Sequence, residues 1–198
     1  MLPHTEPSEI SRRTLLSATA FVPLSALLAT AQPTPALPAA QTKALSAFVD
    51  RLIPVDELGP GALDAGVMNY IDRALAGVYA NRKAGLLEGL EALDAYSQRK
   101  NGSVFSDLTV PQRDSVITAV EAGAAAGFVN SAGFFADVRS LTMEGMFGDP
   151  FYGGNRNFAG WDLIRYPGPR LAVGPLEQAM KVELKPVRIS ARGGEHAR

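Results

Sequence analysis

The sequence predicts an all-α fold: a helical domain of about five helices, followed by a long irregular C-terminal segment. Apolar residues recur at three- and four-residue spacing over positions 45–141, as on the buried face of a helix. No stretch alternates apolar and polar residues over the length of a strand. Residues 145–175 hold seven Gly and four Pro in 31 positions, about three times the ordinary share of these residues. These observations predict helices first and irregular chain afterwards.

Residues 1–31 are typical of a twin-arginine signal peptide. Arg12 and Arg13 stand directly before an apolar run at 15–31, where Ala29 and Ala31 give the small-x-small pattern that signal peptidase needs. A membrane anchor is the alternative, but the run contains a proline and four hydroxyl side chains. It is also marginal against the roughly 20 apolar residues of a span. We therefore expect a cleaved leader and a periplasmic chain.

Residues 32–40 contain three prolines among small residues and predict an extended linker. A single helical domain is expected over 41–198, with five apolar stripes as its helices. The stripes are Leu45, Phe48, Val49, Leu52 and Ile53; Val67, Ile71, Leu75 and Val78; Leu86, Leu87, Leu90 and Leu93; Val116, Ile117 and Val120; and Phe134, Phe135, Val138 and Leu141. Pro54 should stop the first helix, and Asn101-Gly102 should end the third. Thr109 and Gln112 form a capping box for the fourth, and the fifth should start near Asn130 or Ser131.

Residues 143–198 are expected to be largely irregular. Six large rings lie between positions 147 and 166, which is too many for a disordered linker. We expect this segment to wrap a surface, either that of its own helices or that of another chain. Trp161, the only tryptophan, could be a core anchor or an interface anchor.

The composition excludes several kinds of chemistry. The net charge of −1 gives no field for gripping nucleic acid. The absence of Cys excludes disulfides, thiolate metal sites and thiol nucleophiles. His4 lies in the leader and His196 near the end, so a Ser-His-Asp triad is not expected. We expect no catalytic residue, metal or cofactor in this chain. Because the twin-arginine route carries folded proteins, the signal would then serve a partner.

The run at 148–157 is the most distinctive local feature. It lacks both the GxGxxG spacing and the Gly-Lys-Ser/Thr of a phosphate loop. A structural loop or an interface is favoured over a sugar-binding surface. In the latter, a free carbohydrate-binding protein would use Phe151, Tyr152, Asn155, Arg156 and Trp161. An unaided hydrolase built on Asp56 and Glu144 is the weakest alternative, because no partner that orients a base can be named.

Two blocks of sequence resemble a known family. The first reads FVDRLIPVDELGPGA at 48–62, then DAGV at 64–67 and YID at 70–72. The second reads TMEGMF at 142–147, DP at 149–150, YGGNR at 152–156, AGW at 159–161 and YPGPR at 166–170. With the leader, these blocks resemble the small subunit (subunit 3, or gamma) of membrane-bound gluconate 2-dehydrogenase. Small subunits of FAD-dependent glucose, fructose and sorbitol dehydrogenases belong to the same family.

The resemblance implies a non-catalytic subunit of a periplasmic sugar or sugar-acid dehydrogenase. It implies a large partner subunit of the glucose-methanol-choline type that carries FAD, and a multihaem cytochrome c subunit. The small subunit supports folding of the large one, which has no signal of its own, and carries it through the twin-arginine route. Membrane association then comes through the complex. Both blocks are expected to form the surface that binds the large subunit. The residues singled out for this interface are Met143, Phe147, Asp149, Pro150, Tyr152, Gly153, Gly154, Asn155, Arg156, Trp161 and Pro167.

Overall fold

The structure, a computed structural model, describes residues 35–170, 172–175, 177–178 and 184–192. These residues form six α-helices and no strand: α1 Ala39–Leu52, α2 Val67–Ala76, α3 Lys83–Asn101, α4 Val110–Glu121, α5 Ser131–Phe147 and α6 Ala159–Leu163. The predicted all-α fold is confirmed, and each of the first five helices carries one predicted stripe, except that Ile53 and Val78 lie beyond the ends of α1 and α2. Within the described ranges, no helix has the length and apolarity to cross a membrane. The predicted signal residues Arg12, Arg13, Ala29 and Ala31 lie outside the described residues.

Phe48 of α1 lies at the centre of the core. It is fully buried, and its ring centroid is 5.7 Å from Phe105, 5.8 Å from Phe134 and 6.2 Å from Phe135. Helices α3, α4 and α5 all pack against α1. Aromatic rings at these separations attract one another beyond the gain from burial. The stripe on α1 therefore forms the central face of the core.

Local sequence signals set two of the helix ends. Gly102 has φ 78°, and its N–H donates to the carbonyl of Gln98 at 2.9 Å, which ends α3. The N–H of Thr109 donates to Oε1 of Gln112 at 2.9 Å at the start of α4. Both ends lie where the sequence predicts them, because a left-handed glycine cap and a capping box act within a few residues.

Helix α1 begins inside the stretch that the sequence predicts as a linker. Its first residue is Ala39, and the preceding Ala36 and Leu37 are buried against the core. The N–H of Ala36 donates to Oδ1 of Asp72 at 2.6 Å. This part of the predicted linker is therefore held to the domain by burial and by a hydrogen bond to α2.

Two other helix ends differ from the expected positions. Helix α2 ends at Ala76, so Val78 lies beyond it and is 80% exposed. Helix α5 runs on to Phe147 through Gly145, although irregular chain is expected from residue 143. A Cβ on Gly145 would lie 3.0 Å from the ring of Tyr70. That glycine is therefore a contact point between α5 and α2 and does not break the helix.

The segment after α5 is largely irregular, as expected. It contains 3₁₀ turns at Pro150–Tyr152 and Arg156–Phe158, and the short helix α6. Residues 184–192 return to this region, where the N–H of Val187 donates to the carbonyl of Pro167 at 2.8 Å.

Candidate partner-binding surface

Asn155 fastens the segment after α5 to the end of that helix. It is fully buried and has φ 45°. Its backbone N–H donates to the carbonyl of Gly145 at 2.8 Å, and its Nδ2 donates to the carbonyl of Gly148 at 2.8 Å. Its Oδ1 accepts the N–H of Gly160 at 2.9 Å. Asparagine tolerates the left-handed region better than most residues. Here its side chain also bonds backbone groups that precede and follow it along the chain.

The glycines of the segment allow backbone to lie directly on backbone. A Cβ on Gly154 would collide with the carbonyl of Gly145, and one on Gly160 would collide with the carbonyl of Met146. The space beside these glycines is therefore filled by the chain's own helix. This packing supports the structural interpretation of the glycine run and leaves it no room to cradle a phosphate.

Trp161 is an anchor within the chain itself. Its side chain is 6% exposed, and its Nε1 donates to the carbonyl of Phe147 at 2.9 Å. Its ring lies 5.3 Å from that of Phe158 and 4.9 Å from that of Tyr166. The sequence left open whether Trp161 is a core anchor or an interface anchor, and in the structure it packs within the chain.

The expected interface residues thus divide by burial. Met143 is 48% exposed and Tyr152 43%, and Arg156 is also exposed. The half-buried residues are Phe147, Asp149, Gly153 and Pro167, and the buried ones are Pro150, Gly154, Asn155 and Trp161. The buried residues hold the backbone in place, whereas the exposed residues are accessible to another chain. Contact of any of them with a partner remains a prediction.

A cleft of about 410 Å³ lies between α2 and this segment. It is lined by Tyr70, Arg73, Glu144, Asp149 and Tyr152, among other residues. A hydrogen bond joins the two sides of the cleft: Nη1 of Arg73 donates to the carbonyl of Phe151 at 3.4 Å. Aromatic walls with a few polar groups are typical of recognition sites.

Glu144 is the central acid of the cleft. Its Oε2 accepts the hydroxyl of Tyr70 at 2.5 Å, and its Oε1 accepts Oγ of Ser140 at 2.9 Å. Burial works against ionisation, but hydrogen bonds from Tyr70, Ser140 and Tyr79 outweigh it and hold the pKa of Glu144 below its usual 4.5. Burial, followed by the bond to Glu144, raises the pKa of Tyr70 well above its ordinary value. The cleft therefore holds a carboxylate and a neutral phenol at neutral pH.

Asp149 connects the turn at Pro150–Tyr152 with the returning chain. Its Oδ1 accepts the N–H of Phe151 at 2.9 Å, and its Oδ2 accepts the N–H of Ala191 at 2.8 Å. Burial opposes the charge of Asp149, but the bonds from Ser190, Phe151 and Ala191 keep its pKa below the usual 3.8. This carboxylate holds residues 184–192 beside the rings of the cleft.

Sequence reasoning missed Tyr70, Tyr79 and Ser140 as members of the site. The four-residue spacing of Ser140 and Glu144 is a helical signal that could have been found. Tyr70 and Tyr79 reach the acid from a different part of the chain, which no local pattern shows.

The structure weakens the two remaining alternatives, the carbohydrate-binding protein and the hydrolase. The side-chain polar atoms of Asn155 and Trp161 are used inside the chain, so they are not presented to a sugar. Asp56 Oδ1 accepts the N–H of Leu58, whereas Glu144 is bonded to Tyr70, so the two acids have separate partners. Over the described ranges, no group of three or more His, Asp or Glu could hold a metal ion.

The fold and this surface define an all-α domain whose glycine- and aromatic-rich segment folds back on its last long helix. The family model for gluconate 2-dehydrogenase subunit 3 matches residues 39–168. The match begins at the first residue of α1 and ends beyond α6. The chain therefore belongs to the gluconate 2-dehydrogenase subunit 3 family, whose members are subunits of a dehydrogenase complex. No curated protein and no solved structure matches the chain.

Proposed function

We propose that this chain is the non-catalytic small subunit of a periplasmic FAD-dependent dehydrogenase that acts on a sugar or sugar acid. It would support the folding of the large catalytic subunit and carry it through the twin-arginine route. The observation that carries the proposal is family membership over residues 39–168, combined with Arg12 and Arg13 ahead of the apolar leader.

The exposed groups of the partner-binding surface are consistent with protein binding. Tyr152 and Met143 are large side chains that remain about half exposed, and aromatic residues and Met are enriched where proteins bind one another. Asn155 and the glycines hold the loop beneath Tyr152 in one conformation. A preformed surface of this kind loses little entropy when a partner binds.

The redox chemistry in this proposal belongs to other chains. The FAD would reside on a large subunit of the glucose-methanol-choline type, and a multihaem cytochrome c subunit would accept its electrons. This chain would reach the membrane only through that complex.

The test is the isolation of the full-length chain, affinity-tagged, from its source bacterium. We expect a second, larger chain to accompany it with the absorbance of oxidised flavin, which substrate sugar should bleach. Recovery of the tagged chain alone, or with chains that lack flavin, would contradict the proposal.

A further inference from the structure

The loop between α1 and α2 forms a rigid, exposed projection, which we call the 54–64 loop. Asp56 and Gly59 exchange two backbone hydrogen bonds of 3.2 Å each. Oδ1 of Asp56 also accepts the N–H of Leu58 at 2.8 Å. Three hydrogen bonds across four residues fix the tip of the loop.

The base of the loop is equally constrained. The N–H of Ala62 donates to the carbonyl of Ile53 at 2.9 Å. A Cβ on Gly61 would lie 2.8 Å from that same carbonyl oxygen, so the two ends of the loop come into backbone contact at this glycine. The N–H of Arg156 donates to the carbonyl of Ala65 at 2.8 Å, which ties the loop's end to the segment after α5.

This rigid loop holds apolar side chains in water. Leu58 is 78% exposed, Val55 64% and Leu63 38%. Burial of such side chains against another protein is favourable, and a fixed loop loses little conformational entropy on binding. These are the properties of an interface anchor.

Two clefts are lined in part by residues of the loop. One, of about 280 Å³, is lined by Leu58, Asp64 and Arg156, among others. The other, of about 720 Å³, is lined by Leu63, by apolar residues of α1 and the chain before it, and by charged residues that include Lys43 and Arg113. The loop therefore contributes Leu58 to one cleft and Leu63 to the other, and each cleft has room for partner side chains.

The charges around the loop indicate what kind of surface fits it. Asp56, Glu57 and Asp64 are exposed, and none of them forms an ion pair with any part of the chain that the structure describes. Arg156, in the smaller cleft, also has no ion-pair partner in those ranges. A partner would therefore need Lys or Arg around an apolar socket and a carboxylate opposite Arg156.

We propose that the 54–64 loop is the anchor by which this chain docks its large subunit, with Leu58 seated in an apolar socket that has a basic rim. The inference rests on the proposed function and identifies, within the first of the two sequence blocks, the side chain that anchors the interface and the kind of socket that receives it. Two copies of this loop do not suit one another, because a two-fold contact between the loops themselves would bring the three carboxylates of one against those of the other.

The test measures the affinity of the large, flavin-containing chain recovered with the wild type for purified variants. Leu58→Ala should weaken binding about tenfold or more, as anchor residues do. The matched control is Val129→Ala, because Val129 is 91% exposed and lies between α4 and α5, outside both clefts. Thermal melting should be unchanged in both variants, since both side chains lie largely in water.

A second test examines the acidic residues around Leu58 separately. The double variant Glu57→Lys with Asp64→Lys should bind more weakly, and its affinity should depend less on salt than that of the wild type. Glu91→Lys with Glu121→Lys, on α3 and α4, makes the same change of net charge outside both clefts and should bind as the wild type does.

Three results would overturn the inference. Wild-type affinity of the Leu58→Ala variant would refute the anchor and leave the proposed function standing. A wild-type dimer that Leu58→Ala dissociates would assign the loop to self-association. Absence of any flavin-containing chain with the wild type would refute the proposed function and this inference with it.

Discussion

At the scale of single residues, Asn155 has a role that its neighbour Asn157 does not share. Both are left-handed, with φ 45° and 56°. Only Asn155 is buried, and only its side chain bonds backbone groups on two sides of the loop. Because both residues have a positive φ, the difference between them isolates the effect of the side-chain hydrogen bonds of Asn155.

Asn155→Ala should lower the free energy of unfolding by about 1–3 kcal/mol more than Asn157→Ala, because it leaves a half-buried carbonyl and a buried N–H without partners. Urea unfolding of the two variants and the wild type measures the difference. Equal losses in the two variants would show that backbone conformation alone accounts for the effect.

Glu144 should make stability depend on pH in acid. Its folded pKa lies below the usual 4.5, so its contribution is present above about pH 4.5 and is lost as the pH falls through the folded pKa. Glu144→Gln should remove part of this loss, so its stability should change less between pH 6 and pH 3, as followed by urea unfolding. An unchanged pH profile in the variant would contradict the assignment.

At the scale of elements, the segment after α5 combines residues that shape a surface with residues that form it. Trp161 is enclosed by the chain's own rings and bonds its own backbone, whereas Tyr152 is nearly half exposed. Substitutions at the two positions should therefore have different consequences for the same assembly.

Trp161→Ala should destabilise the chain itself, by about 3–5 kcal/mol as for other large buried rings, and assembly should fail with it. Tyr152→Ala should keep the wild-type melting temperature and still weaken binding of the large subunit. Melting curves and binding assays on both variants decide this. Full affinity of a well-folded Tyr152→Ala variant would remove Tyr152 from the interface.

The helices could be predicted from the sequence because their signals are local. The stripe on α1, the cap at Gly102 and the capping box at Thr109 each lie within a few neighbouring residues. The bonds of Asn155 to Gly145 and Gly148, and the approach of Tyr70 to Glu144, depend on which elements meet in space. For the same reason, the pattern at 145–175 indicated irregular chain but not the continuation of α5 or the presence of α6.

At the scale of the whole molecule, the proposed co-export makes a prediction about two chains at once. Arg12→Lys with Arg13→Lys should leave both this chain and the large subunit in the cytoplasm, since the large subunit has no signal of its own in this proposal. Fractionation with a flavin-dependent activity assay measures it. The control is Arg139→Lys with Arg165→Lys, which should not change the localisation of either chain. Active flavoprotein in the periplasm of the signal variant would refute co-export.

The hydrogen bond from Arg156 to Ala65 joins the loop before α2 to the segment after α5. Contacts between such distant positions form only after a long loop of chain has closed. During synthesis, the ribosome must therefore release the residues around Arg156 before the two surfaces can come together. A partner that recognises both would distinguish a finished chain from a nascent one, which would serve as a check before the proposed export of the folded complex.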